Sequence, residues 1–147
     1  KIREMENSYD HIYCTYGIHP HEAEKDMVDV DDIVKEAKNN KMIGIGETGL
    51  DFYYEHSPRD VQIESFRKHI KAAQITGLPV IVHSRSADQE TIDILKEEMQ
   101  NHPFKGLIHC FSTTRLLAEE ALKLGFYISI SGIITFKNAA PLCDIVK

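Results

Sequence analysis

Residues 42–54 read MIGIGETGLDFYY and combine two features that decide the fold. The apolar run over 41–46 has the composition of a β-strand that is covered on both faces. The run stops at Glu47, which has a glycine directly before it and another two residues later, and three aromatic residues follow Asp51. An apolar strand that ends in one carboxylate among glycines indicates a functional position at the end of a buried strand.

Strand-like runs recur along the chain and alternate with segments of helical period. The predicted strands are 11–18, 41–46, 79–83, 106–111 and 126–131, and the predicted helices between them are 30–39, 58–76, 87–101 and 112–125. This alternation predicts an α/β fold with a parallel sheet and crossover helices, of either the Rossmann-like or the (β/α)-barrel type. No GxGxxG follows the first strand, which argues against the dinucleotide-binding version.

Capping residues mark where several helices begin and end. In the longest predicted helix, Ser57 is the expected N-cap, Pro58 the first helical residue and Gly77 the terminator. Ser86 and Asn138 are the expected caps of the helices that follow them, and a hydroxyl residue is expected to cap the helix over 112–125.

The composition excludes some classes of protein. The chain has 147 residues, a net charge of −6 and three cysteines, and it contains no CxxC pair and no apolar run of transmembrane length. We therefore expect a cytoplasmic protein without a membrane partner, and no obligate protein partner is evident. The negative net charge argues against a broad basic surface that binds duplex DNA. It remains compatible with nucleic acid bound at a local site whose positive charge comes from a metal ion.

Chemically capable side chains fall at the carboxyl ends of the predicted strands. Glu47, His83 and His109 end three successive strands, and His19 follows the first. In a (β/α) barrel these ends meet at one mouth, where histidine and carboxylate form a site for a divalent cation. Each residue alone also has a structural explanation, as a hydrogen-bonded histidine or a turn-capping glutamate. Together they predict a metal site, and the alternative for His19, which precedes a proline, is that it only shapes its loop.

Further residues are expected around that metal site. Arg85 follows His83 by two positions, so both point to one side of the strand, where a guanidinium suits a phosphate or carboxylate ligand. The alternative for Arg85 is a salt bridge to a loop acid. Asp51 is expected to orient a metal ligand or its loop, and the part played by His21 stays open. The other histidines are expected to be solvated or structural, namely His11, His56, His69 and His102.

Five segments of the chain resemble, in order and spacing, the motif series of the TatD family of metal-dependent deoxyribonucleases. They are GIHPHEA, IGETGLDFYY, LPVIVHSRSA, GLIHCFS and GFYISISGIITFKNA, and the resemblance covers essentially the whole chain. It implies a TIM-barrel hydrolase of the amidohydrolase type. Such enzymes bind divalent metal, often two ions, and hydrolyse phosphodiester bonds in DNA, typically from the 3′ end.

The same resemblance implies a part for each site residue. Glu47 corresponds to the carboxylate that bridges the metals, and His83 and His109 complete the shell of the second ion. His19 corresponds to an active-site histidine that assists substrate binding or catalysis. The ligand types fit Mg, Mn or Zn equally well.

Two elements of the family pattern are not found in residues 1–147. They are an HxH on the first barrel strand and an Asp after the seventh, which takes the proton of the attacking water. We therefore expect about five of eight strands, the second to the sixth, in a partial TatD-like barrel domain. On this expectation the chain by itself is inactive or nearly so.

Two other functions remain compatible with this sequence. A metal hydrolase that cleaves an amide or a lactone uses the same ligands on the same barrel. A truncated barrel that binds metal without catalysis is the alternative from a different class.

Overall fold

A computed structural model describes residues 2–147, except for the side chains of residues 2, 3 and 7. Its strands are β1 (Cys14–Tyr16), β2 (Met42–Asp51), β3 (Val80–Arg85), β4 (Gly106–Ile108) and β5 (Tyr127–Ile128). Its helices are α1 (Ile2–Ser8), α2 (Val30–Glu36), α3 (Arg59–Thr76), α4 (Asp88–Asn101), α5 (Arg115–Lys123) and α6 (Ala140–Ile145), and short 3₁₀ turns lie at Pro20–Glu22 and Gly132–Thr135.

The five strands form one parallel sheet in the order β1-β2-β3-β4-β5. The order in the sheet equals the order in the chain, as it does for consecutive strands of a (β/α) barrel. The predicted α/β class with a parallel sheet is confirmed. Because all strands run the same way, their carboxyl ends lie along one edge of the sheet.

The lengths of the strands differ from the prediction. The prediction that the second strand ends at Glu47 was wrong, because β2 continues to Asp51, which pairs with Arg85 at the end of β3. By contrast, β1, β4 and β5 are shorter than predicted. After β4 the backbone of Cys110 takes a left-handed φ of 46°, which turns the chain out of the sheet.

The core lies between the sheet and the helices that cross over it. Phe66 and Ile70 of α3 are fully buried and belong to the same cluster as Leu50 of β2 and Val80 of β3. Their i, i+4 spacing along α3 is the apolar stripe that the sequence predicted. In α5, Leu117 is fully buried and belongs to the same core cluster. The sheet is thereby fixed in place beneath the residues at its carboxyl edge.

Two of the predicted caps are confirmed. The Thr114 hydroxyl accepts a hydrogen bond from the N–H of Leu117 at the start of α5. Gly77 ends α3 in the left-handed conformation, with φ of 76°.

Three other predicted caps were wrong. Pro58, not Ser57, is the N-cap of α3, and the Ser57 hydroxyl instead bonds the backbone of a neighbouring loop. Ser86 has a left-handed φ of 52° in place of the extended backbone of a cap, so α4 starts after Ala87. Asn138 lies one residue before the N-cap of α6.

Within residues 2–147, no helix combines the length and apolar composition that crossing a membrane requires.

Candidate metal centre

Glu47 lies at a bulge in β2. Gly46 pairs with Ile81 of β3 and Thr48 pairs with Val82, so Glu47 stands between two consecutive pairs without a partner of its own. A bulge of this kind bends the strand and redirects one side chain. The Glu47 side chain is half-buried and lines a cavity at the carboxyl edge of the sheet. The bulge is thus the local reason why this carboxylate reaches the cavity from within a strand.

Two glycines allow β2 and β3 to approach each other at this bulge. Gly46 has a φ of 142° and Gly49 a φ of 135°, which side-chain-bearing residues rarely adopt. A Cβ on Gly49 would lie 2.1 Å from the carbonyl oxygen of His83, and a Cβ on Gly46 would lie 2.5 Å from that of Ile81. The glycines of the GETG segment are therefore required by the backbone that brings Glu47 to His83.

His83 lies between two carboxylates. Its Nδ1 is 3.0 Å from Oε1 of Glu47, and its Nε2 is 3.1 Å from Oδ2 of Asp51. A neutral imidazole carries one N–H and therefore donates to only one of these oxygens. The other contact requires a positive charge, which is either a second proton on the ring or a cation bound by both atoms.

Asp51 determines which ring nitrogen of His83 carries the N–H. The carboxylate is 1% exposed, its Oδ1 accepts hydrogen bonds from the N–H groups of Tyr53 and Tyr54, and its Oδ2 is 2.8 Å from Nε2 of His21. Burial acts to raise the pKa of Asp51. The bonds from Tyr54, His21 and His83 outweigh burial and lower this pKa to about 2. Both carboxylates are acceptors at neutral pH, and because Asp51 is much the more buried of the two we assign the N–H of His83 to Nε2, which leaves Nδ1 as a lone pair toward Glu47.

The side chains around Nδ1 of His83 fit a divalent cation. The contact with His83 lowers the pKa of Glu47 against the opposing effect of burial, so Glu47 is charged at neutral pH. His19, Glu47 and His83 each offer one ligand atom, and these atoms all lie within 4.8 Å of one another. An anionic oxygen and an imidazole lone pair that face each other are a donor set for such an ion.

His19 is the third residue of this group, and in the tautomer that its backbone contact favours it presents a proton to the cavity. It is the N-cap of the turn Pro20–Glu22, where its Nδ1 accepts the N–H of His21 at 3.2 Å. The pKa of His19 is lowered mainly by burial and, to a smaller extent, by the neighbouring His83, so its ring is neutral at pH 7. With Nδ1 an acceptor, the single proton lies on Nε2, which is 4.0 Å from Oε1 of Glu47. His19 is thus suited to donate a hydrogen bond into the cavity.

His21 is placed behind the centre. Its Nε2 contacts Asp51, its ring packs edge-on against His19 at 4.4 Å between centroids, and the Ser57 hydroxyl donates to its carbonyl oxygen. Its position, which the sequence left open, is that of a support for Asp51 and His19.

Two residues of α3 hold the loops of the centre, and sequence reasoning missed one of them. Gln62 is fully buried, accepts the N–H of Asp51 and donates to the carbonyl oxygens of Asp51 and Ser57. Nothing in the sequence separates it from an ordinary helical glutamine. His69 is also fully buried and was expected to be structural or solvated. Its Nε2 accepts the N–H of Ile18 at 2.9 Å and its Nδ1 donates to a helix carbonyl, so its part is structural.

His109 and Arg85 lie further out on the same cavity wall. His109 directly follows β4, is exposed, and contributes to lowering the pKa of Glu47, but it is outside the group of three close ligands. Its assignment as a ligand stays a prediction. The guanidinium of Arg85 lies over the rings of Tyr53 and Tyr54, at 4.3 and 4.6 Å from their centroids. Among the described residues it makes no ion pair.

A family model described as "TatD related DNase" matches residues 1–147. The chain is 38% identical over 151 residues to YabD of Bacillus subtilis (strain 168), named as an uncharacterized metal-dependent hydrolase, covering 100% of this chain and 58% of that protein. It is 36% identical over 124 residues to a protein of Rahnella sp. (strain Y9602) named "3'-5' ssDNA/RNA exonuclease TatD", covering 84% of this chain and 47% of that one.

A solved structure shows the same fold. The crystal structure of YJJV, a TatD homologue from Escherichia coli K12, matches with a TM-score of 0.86 and 26% identity, over 99% of this chain and 56% of that one. The chain thus spans about half the length of the proteins it matches.

Proposed function

This chain belongs to the family of TatD related DNases, and we propose that the protein is a divalent-metal-dependent hydrolase that cleaves phosphodiester bonds in DNA, as a 3′ exonuclease. On this proposal residues 1–147 are part of one TatD-like (β/α)-barrel domain. The observation that carries the metal dependence is the position of His83 between Asp51 and Glu47, which requires a positive charge at Nδ1.

The choice of substrate has two supports. The Rahnella relative is named as an exonuclease for single-stranded DNA and RNA. In addition, Arg85 is the one lysine or arginine among the described residues that line the cavity, and a guanidinium suits a phosphodiester. A cytoplasmic location stays a prediction.

Each residue of the centre has a definite task on this proposal. Glu47 and Nδ1 of His83 would hold a cation, which is Mg, Mn or Zn, and the family resemblance implies His109 as a further ligand of the same ion as His83. A divalent cation bound there supplies Lewis-acid chemistry, polarising the phosphoryl oxygen and lowering the pKa of a water from about 16 toward 7. Asp51 keeps the proton of His83 on Nε2, so that Nδ1 stays free to bind.

The remaining residues act on the phosphodiester itself. The N–H at Nε2 of His19 donates to the non-bridging oxygen on which charge builds up during attack, and Arg85 orients the phosphate. The proton of the attacking water passes to the Asp that the family pattern has after its seventh strand.

The test uses the complete protein that contains this chain and an end-labelled single-stranded DNA oligonucleotide with Mg²⁺ or Mn²⁺. We expect a ladder of shortened products, which EDTA and Glu47→Ala both abolish, while Glu64→Ala on the exposed face of α3 cleaves as the wild type does. Activity near wild type in Glu47→Ala would contradict the assignment of Glu47. No cleavage with any divalent metal would favour an amide or lactone hydrolase, or a barrel that binds metal without catalysis.

A further inference from the structure

Four planar side chains are arranged beside the metal centre. The guanidinium of Arg85 lies 4.3 Å from the ring centroid of Tyr53 and 4.6 Å from that of Tyr54. Tyr54 in turn stacks on His56, with the rings 8° from parallel and their centroids 5.5 Å apart. Tyr53 and Tyr54 are 62% and 48% exposed. We call the surface of Tyr53, Tyr54 and Arg85 the stacking surface.

The stacking surface is fixed relative to the metal ligands. Oδ1 of Asp51 accepts the N–H groups of both tyrosines, at 3.1 and 2.9 Å, and Oδ2 of the same carboxylate contacts Nε2 of His83. Arg85 is the last residue of β3 and pairs with Asp51, two positions after His83. One buried carboxylate therefore sets the positions of both tyrosines and of a proposed ligand.

We propose that the stacking surface binds a nucleobase of single-stranded nucleic acid, next to the phosphodiester that the metal centre cleaves. This inference rests on the proposed function and names the part of the substrate that the protein holds. Exposed aromatic faces and a guanidinium plane are the groups on which unpaired bases stack, and every base has such a face. The bases of a duplex are stacked on one another and are not accessible to this surface.

Charge explains why base stacking is needed for this substrate. The chain has a net charge of −6, and the cavity also contains the carboxylates of Glu47 and Asp88. Phosphate contacts from a basic surface, which give most nucleic-acid-binding proteins their affinity, are therefore scarce among the described residues. Because Arg85 and His56 already lie against the ring of Tyr54, the more exposed Tyr53 is the main stacking partner. It provides affinity that does not depend on positive charge, while the N–H groups at the edge of Arg85 remain available to the phosphate.

The experiment measures binding without cleavage, in EDTA, on the complete protein that contains this chain. Fluorescence anisotropy gives the Kd for a labelled single-stranded oligonucleotide and for a chain of equal length in which tetrahydrofuran spacers replace every nucleoside, so that charge is kept and bases are removed. The variants are the double substitution Tyr53→Ala with Tyr54→Ala, and its matched control Tyr53→Phe with Tyr54→Phe. Tyr13→Ala alters an exposed tyrosine before the amino end of β1, away from the centre.

We expect the double alanine variant to bind the oligonucleotide about 5- to 150-fold more weakly, the ratio that corresponds to the stacking of one base. The base-free chain should bind wild type and variant alike, and the phenylalanine and Tyr13→Ala controls should bind the oligonucleotide as the wild type does. Circular dichroism confirms that each variant is folded.

Three results would overturn the proposal. They are equal affinity of wild type and alanine variant for the oligonucleotide, an equal loss of affinity for the base-free chain, or a loss in the phenylalanine variant as large as in the alanine variant. Because binding is measured without metal, the outcome is independent of hydrolysis. An affinity loss confined to the base-containing strand supports the stacking surface even if the complete protein cleaves no DNA.

Discussion

Nε2 of His83 lies 3.1 Å from Oδ2 of Asp51, and this contact determines which nitrogen of His83 is left to bind a cation. Asp51 is buried and charged, so it takes the N–H of the ring. Nδ1 is then a lone pair 3.0 Å from Glu47, an arrangement that is repulsive without a positive charge between the two atoms. The metal site therefore depends on a residue that does not itself face the cation.

Replacing Asp51 should weaken metal binding. In Asp51→Asn the charge that holds the N–H of His83 is gone, and we expect divalent-metal affinity to fall about 10- to 100-fold, as it does when a residue that hydrogen-bonds a metal ligand is replaced. The measurement is a Mn²⁺ titration of the folded variant by calorimetry. Asp60→Asn, in the exposed first turn of α3, is the matched control and should bind Mn²⁺ as the wild type does. Unchanged affinity in Asp51→Asn would argue against this role.

His19 and His83 should differ when each is replaced by glutamine. Since Nε2 of His19 carries a proton, we expect His19→Gln to retain metal and to lose kcat by up to about 10²- to 10³-fold, the usual contribution of one positioned hydrogen-bond donor to developing negative charge. His83→Gln should lose metal and activity together. Metal content by mass spectrometry and single-turnover cleavage are measured on the same samples. Loss of metal in His19→Gln would instead make His19 a ligand.

Gly49 should tolerate no side chain. A Cβ there meets the carbonyl oxygen of His83 at 2.1 Å, and the φ of 135° adds strain, so we expect Gly49→Ala to lower the free energy of unfolding by about 3 kcal/mol or more. Gly132→Ala is the control, because its Cβ has nothing within 4 Å, and it should change stability by less than about 0.5 kcal/mol. Urea unfolding measures both. Similar stability of the two variants would show that the close approach of β2 and β3 is not needed.

His69 should make stability depend on pH. Burial lowers the native pKa of His69 below its ordinary 6.5, so the unfolded chain binds this proton more readily than the folded one. Its contribution is complete above pH 6.5 and is lost as pH falls through the lowered native pKa. His69→Gln should therefore show a smaller fall in unfolding free energy between pH 7 and pH 5 than the wild type, whereas His102→Gln, at an exposed position, should not. Equal slopes in wild type and His69→Gln would contradict this.

The sequence was sufficient for the sheet and for much of the site because these features repeat. Each strand is apolar, each crossover helix has an apolar stripe, and polar residues recur at the carboxyl end of each strand. Glu47 and His83 could be placed together for this reason, and the structure brings them to 3.0 Å.

Other features had no local signal. The bulge that lets β2 run on past Glu47 depends on pairing with β3, which no single segment encodes. Ser57 has the sequence context of a helix cap, but tertiary bonds to Glu24 and His21 occupy its hydroxyl. Gln62 and His69 act through loops that are distant in sequence, so that only the fold shows what they hold.

The most direct test of the central claim is a Mn²⁺ titration of the complete protein and its Glu47→Gln variant, with Glu64→Gln as control. Glutamine keeps the shape of Glu47 and removes the charge that faces Nδ1 of His83. The account predicts saturable Mn²⁺ binding in the wild type and in the control, and its loss or a large weakening in Glu47→Gln. Binding of equal affinity and stoichiometry in all three proteins would contradict the account.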